Sequence, residues 1–330
     1  VIDGKGAFVY PSFIDLYTNW GLEKVSTPLA TNKNIYEPKN PLSVAYNDAV
    51  RADIRAVQWF TNQSKDYEEY LKQGFGAALS FNQDGIVRGS AVLIALGEGN
   101  AQDRVLKEDA GFALSLDKGT SRQMYPSSLA GSMALVRQTY LDADWYEKGG
   151  KSEYKNPMLD AFNQYKKLPT FFETTDKWDI MKLDKIGDEA GVQYVFLASG
   201  NEYQRAKDIK STQATLILPL EYPKPYQIAD ALDAEDLDIT DLKHWELAPH
   251  NAVFLAKENI PFAFTLHKLK DKSSFFKKLR ELYKNGLSKE QILQSLTEKP
   301  AALLQQNQLG KLMTGSMANF IVTSEDIFNK

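Results

Sequence analysis

Short runs rich in β-branched and aromatic residues, each bounded by turn residues, alternate along this chain with stretches of helical period. That alternation restricts the fold more than any other feature. Candidate strands occupy residues 13–16, 77–81, 91–96, 170–173, 194–199, 215–218 and 261–266. Between them, Ala161, Phe162 and Tyr165 mark a helix that ends before Pro169, and the helical stretch 181–190 stops at Gly191, a residue suited to a left-handed C-terminus. Ser288 and Gln291 have the spacing of a capping box opening a helix that carries Ile292, Leu293 and Leu296. Strands joined by helices imply a parallel sheet covered on both faces. Eight such units suit a TIM-like (β/α)8 barrel of the α/β class, so an eighth strand is required beyond the seven identified. Residues 118–156, rich in Gly, Ser, Tyr and charge, read as a long excursion above the barrel, and residues 309–322 as two short β-segments around a glycine turn.

The 330 residues, 43% hydrophobic, suffice for a proper core. A net charge of -4 and the lack of a dense basic stripe argue against nucleic acid or an anionic membrane as partner. No apolar run approaches the roughly 20 residues of a membrane span, so a soluble protein is expected, cytoplasmic or exported to the periplasm. The absence of cysteine removes disulfides, thiolate metal sites and thiol nucleophiles together.

The opening stretch, with Ser12-Phe13-Ile14-Asp15 followed by Leu16-Tyr17-Thr18-Asn19, resembles the start of the amidohydrolase superfamily. So does Leu309-Gly310-Lys311-Leu312 with Gly315, Ala318 and Asn319, which is similar to the Gly-x-Leu-x-x-Gly-x-x-Ala-Asp-Leu-Val-Val pattern closing the family's small β-sandwich, with Asn319 where Asp is usual. Gly74-Phe75-Gly76-Ala77, Arg88-Gly89-Ser90, Gly200-Asn201-Glu202-Tyr203 and Leu247-Ala248-Pro249 resemble the imidazolonepropionase-like and dihydroorotase-like branches. The resemblance implies a β-sandwich strand over residues 1–12, a barrel over 13–305 and sandwich strands over 306–330, forming a partial β-sandwich from the chain ends. The chain opens at Val1 part-way into the family's pattern, as expected of a fragment or processed product.

In that family one or two divalent ions activate water at the C-terminal ends of the strands. Carried over position by position, the His-x-His pair falls at Tyr17 and Asn19, the fifth-strand His at Glu173, the sixth-strand His at Ser199 and the eighth-strand Asp at His267. A hydrolytic zinc site needs about three good protein ligands and an open position, and this degenerate set offers one carboxylate and one imidazole. The expectation is a barrel with its metal ligands replaced, no cofactor, and a structural or regulatory role beside a second amidohydrolase domain or another copy of the chain. Two alternatives stay open. One is a zinc- or other metal-dependent hydrolase of non-peptide C–N bonds, such as cyclic amides, with an atypical site built on Glu173, His267 and Asn19. The other is a small-ligand or peptide binder using aromatic residues expected at the mouth: Tyr17, Trp20, Phe172, Tyr203, Tyr222 and Trp245.

Other chemistry is weaker. Asp176 and Asp179 with Glu173 could act as acids and bases, yet acidic residues also suit the start of the next helix. His244 and His250 share a segment that could approach His267 or merely form a loop. No Gly-x-Ser-x-Gly elbow supports Ser199 as a nucleophile.

Overall fold

The computed structural model describes residues 4, 6–23, 47–61, 67–153, 155–228, 230 and 237–329. Strand β1 (Phe8–Pro11) lies apart from an eight-stranded sheet that runs in sequence order. Its members are β2 (Phe13–Thr18), β3 (Phe75–Ser80), β4 (Val87–Ala95), β5 (Val105–Leu114), β6 (Thr170–Glu173), β7 (Tyr194–Leu197), β8 (Thr215–Pro219) and β9 (Phe262–Thr265). All seven expected strands are present. The eighth, β5, is the longest; Lys107, Glu108 and Asp109 interrupt its apolar pattern and hide it in the sequence. Those charges are matched from elsewhere: Arg55 Nη2 donates to Asp109 at 2.8 Å, and Lys107 Nζ to the Leu304 carbonyl at 3.1 Å.

The sheet is parallel between β2 and β3 and from β5 to β9, but β4 runs antiparallel to both neighbours. This corrects the expectation of eight βα units. The connection from Ser80 to Val87 is too short for a crossover helix, which needs a dozen residues or more, so β3 and β4 form a hairpin. Ladder hydrogen bonds run from β2 through to β9 without a β9–β2 ladder. Asp15 links those two strands instead: its carboxylate accepts from Thr265 Oγ1 at 2.6 Å and from the Leu266 amide at 2.9 Å. Complete burial pushes this carboxyl up to about 6, against the pull of its donors Thr265, Tyr17 N and Leu266 N.

Side chains on one sheet face form a core of their own, with Ile14, Leu16, Ala77, Leu79, Leu93, Phe171 and Ile217 among them. Phe13, Phe75, Phe112, Phe172, Phe196 and Phe262 point the other way and pack under the helices. The Phe13, Phe75 and Phe275 rings meet at centroid distances of 5.2 to 6.1 Å, each such pair contributing roughly 0.5–1.5 kcal/mol beyond area burial.

Residues 118–156 are not an excursion. They contain the helix Leu129–Lys148, capped by Ser128 and buried through Val136, Thr139, Tyr140, Ala143 and Tyr146 at three- and four-residue spacings. The expected helices around Phe162, before Gly191 and after Ser288 all form, the last with its capping box.

Within 309–322 one strand forms rather than two: β10 (Phe320–Thr323) pairs antiparallel with β1. Gly310 and Gly315, at φ of 72° and 89°, hold the preceding segment in turns. Asn319 fastens this small sheet to the large one. Its carbonyl accepts from Ser12 N at 3.1 Å, its Nδ2 donates to the Gly76 carbonyl at 3.1 Å, and a Cβ at residue 76 would collide with the Asn319 side chain.

Candidate functional site

Four residues from four strands converge at one end of the sheet. Tyr17 sits near the end of β2, Arg88 is the second residue of β4, Glu173 ends β6, and His267 follows β9. The Tyr17 hydroxyl donates to Glu173 Oε2 at 2.7 Å and accepts from Arg88 Nη1 at 2.8 Å. The same Arg88 nitrogen lies 2.8 Å from the same Glu173 oxygen, closing a three-membered ring of contacts. Arg88 Nε donates to the Gly85 carbonyl at 3.1 Å, and the guanidinium is 3% exposed. His267 lays its ring 4.6 Å from that of Tyr17, and its amide donates to Thr265 Oγ1 at 2.9 Å.

The local sequence explains how a cation reaches this depth. Gly85 and Gly89 have φ of 97° and 85°, and a Cβ on Gly89 would strike the Ile54 carbonyl, so the chain on either side of Arg88 follows a path open to glycine. The register also shifts between Val87 and Gly89.

The electrostatics follow from burial set against one fixed charge. Burial pushes the Glu173 carboxyl up, but the Arg88 charge and the Tyr17 hydrogen bond outweigh it and hold the group below the usual range. Burial pushes the Tyr17 phenol well up, with Arg88 opposing and Glu173 reinforcing. Burial also lowers His267 to about 4, opposed by Glu173 and assisted by Lys268 and Arg88. The cluster at neutral pH is therefore a guanidinium–carboxylate pair bridged by a neutral phenol beside a neutral imidazole.

Of the positions carried over from the sequence, Tyr17, Glu173 and His267 come together. Asn19 and Ser199 do not join them. Asn19 is solvent-exposed, and none of its bonds among the described residues reaches the cluster. Ser199 Oγ donates to Asn201 Oδ1 and Glu202 Oε1, both at 2.8 Å. Glu202, fully buried, also accepts from Ser199 N at 2.7 Å, Gly200 N at 3.0 Å and Asn251 Nδ2 at 2.8 Å, so this stretch is a clasp for the loop after β7.

Asp176 and Asp179 form a capping box on the helix Lys177–Ala190. His244 Nδ1 lies 3.2 Å from the Tyr203 hydroxyl with the rings stacked, apart from the cluster. Two of the expected mouth aromatics lie elsewhere: Phe172 packs with Tyr194 and Phe196 under the helices, and Trp20 against Phe60 and Tyr67.

Arg88-Gly89-Ser90 reads in the sequence as a turn, but the structure places it inside β4. The usable signal was a charged residue between Ile86-Val87 and Ala91-Val92, because a cation in a buried run needs a partner.

Glu173 Oε2 is engaged by both the guanidinium and the phenol, the nearest imidazole lies tilted against the Tyr17 ring, and among the described residues no three His, Asp or Glu side chains are grouped to hold a metal.

Beyond the ends of β7 and β8 a cavity of about 380 Å³ opens, bordered by Ser199, Tyr222, His244, Lys224, Lys268 and Lys270.

No family model matches the chain, and no curated protein does. Among solved structures, an amidohydrolase from Thermotoga maritima matches with a TM-score of 0.75 and 18% identity, over 99% of this chain and 84% of that one. A protein described as uncharacterized gives 0.51 at 14% identity, over 99% and 82%. At such identities the likeness is one of fold: the chain has an amidohydrolase-like, mixed α/β architecture.

Proposed function

We propose that this chain is an amidohydrolase-like fold that has exchanged metal-assisted hydrolysis for an internal ion pair, and that it serves as a structural or regulatory module beside a second amidohydrolase domain or another copy of itself. The observation that carries this reading is the engagement of Glu173 by Arg88 and Tyr17. A fixed guanidinium supplies positive charge at the strand ends, but it has no exchangeable position for water and cannot lower the pKa of a bound water toward 7 as zinc does. The exposure of Asn19 weighs against an atypical hydrolytic site built on Glu173, His267 and Asn19.

Elemental analysis tests the reading on protein purified without chelator and then dialysed against zinc. Only trace metal is expected, with no hydrolysis of cyclic amides. A full equivalent of tightly held zinc or iron, together with turnover abolished by Glu173→Ala, overturns it.

A further inference from the structure

The cavity beyond β7 and β8 differs in charge from the rest of the molecule. The chain carries a net charge of -4, yet among the described residues this cavity is bordered by Lys224, Lys268 and Lys270 against a single carboxylate, Glu221. None of the three ammonium groups has a carboxylate within ion-pair distance among the described residues, whereas the nearby Lys272 pairs with Glu69 at 3.0 Å. The Glu221 carboxylate is partly engaged, accepting from the Lys270 amide at 3.3 Å. Lys268 lies near enough to contribute, behind burial and the groups in direct contact, to the lowering of both His267 and Glu173. Like charges gathered on one concave surface repel one another, and their field lines focus into the cavity.

The remaining lining suits a small organic molecule. Pro219, Pro223, Tyr222 and Ala248 supply apolar walls, His244 a polar edge, and about 380 Å³ lies within the range of metabolite sites. We infer that this cavity binds a small organic polyanion, carrying two or more carboxylate or phosphate groups, through Lys224, Lys268 and Lys270 with Tyr222 as its apolar wall. The inference stands apart from the metal-free reading. The cavity adjoins the Tyr17–Arg88–Glu173 cluster through Lys268 but uses none of its groups, so ligand binding and metal content fail or succeed separately.

Citrate and pyrophosphate serve as probes, titrated at low ionic strength into the whole chain by calorimetry and by thermal melting, with potassium chloride matched for ionic strength as control. Saturable binding of at least one probe is expected, weakening roughly tenfold or more in Lys268→Gln/Lys270→Gln, since each charge-assisted contact is worth about 1.5–3 kcal/mol. Both lysines are exposed, so the melting temperature of the ligand-free variant should match that of the parent and exclude misfolding as the cause. Lys224→Gln should weaken binding independently. Response to citrate alone assigns a polycarboxylate and response to pyrophosphate alone a phosphorylated ligand; either supports the site. Failure of both probes to bind, or binding that the double variant retains in full, overturns it.

Discussion

Replacing Arg88 by methionine should expose how much of the fold depends on the buried pair. With Arg88 Nη1 2.8 Å from Glu173 Oε2, the gross Coulomb attraction at an effective dielectric of about 20 is roughly 6 kcal/mol, most of it spent on desolvating two ions. Methionine fills much of the volume but strands the carboxylate, and breaking a buried pair from one side costs about 3–5 kcal/mol. The pH dependence gives the sharper signature. In the parent, Glu173 is held below its ordinary value of 4.5, so the pair stabilises the fold above that pH and the benefit is lost as pH falls through the folded-state value. In Arg88→Met burial is opposed only by the Tyr17 hydrogen bond and the Lys268 charge, so the carboxyl rises from its parent value and acid relieves the variant. The gap between the two proteins should therefore be widest near pH 7 and shrink below pH 4.5. Urea unfolding followed by tryptophan fluorescence measures it, provided the slopes match. Adding Glu173→Gln to Arg88→Met should recover part of the loss, by a coupling of about 0.5–3 kcal/mol. A single-variant cost below about 1 kcal/mol, or a gap unchanged between pH 7 and 4, would refute the ion-pair reasoning.

Asp15, pushed up to about 6 from 3.8, should make the parent lose roughly 3 kcal/mol of stability as pH rises across that window, because the unfolded chain ionises first; melting curves of Asp15→Asn should lack this slope. His267, lowered to about 4, should show constant imidazole shifts by NMR from pH 8 to 5.5, and a midpoint near 6.5 would contradict its burial beside Tyr17. Tyr17→Phe removes the bridging hydroxyl but leaves the charges paired, so a loss of about 1–2 kcal/mol is expected, clearly smaller than that of Arg88→Met in the same urea assay. Gly89→Ala, at φ 85° with its Cβ against the Ile54 carbonyl, should cost more than about 1 kcal/mol, and an unchanged midpoint would show that the β4 backbone beside Arg88 can relax.

What the sequence determined by itself was whatever neighbouring residues decide. Short apolar runs bounded by turn residues marked seven strands, Asp176 with Asp179 and Ser288 with Gln291 marked helix starts, and Gly191 marked a helix end, because capping and strand propensity act over a few residues. β5 stayed hidden because its charged run is balanced by Arg55, 54 residues away from Asp109, and no local pattern records that partner. Position-by-position transfer placed Tyr17, Glu173 and His267 at one site, but it also placed Asn19 and Ser199 there, since a motif fixes the order of residues and not the direction of their side chains.

Only the tertiary structure decided what fills the site. Arg88 reaches Tyr17 across 71 residues, and Tyr17 reaches Glu173 across 156. A guanidinium becomes the counter-ion of a carboxylate only where packing removes water from both, and that exclusion arises when four strands meet, not in any stretch of the chain taken alone.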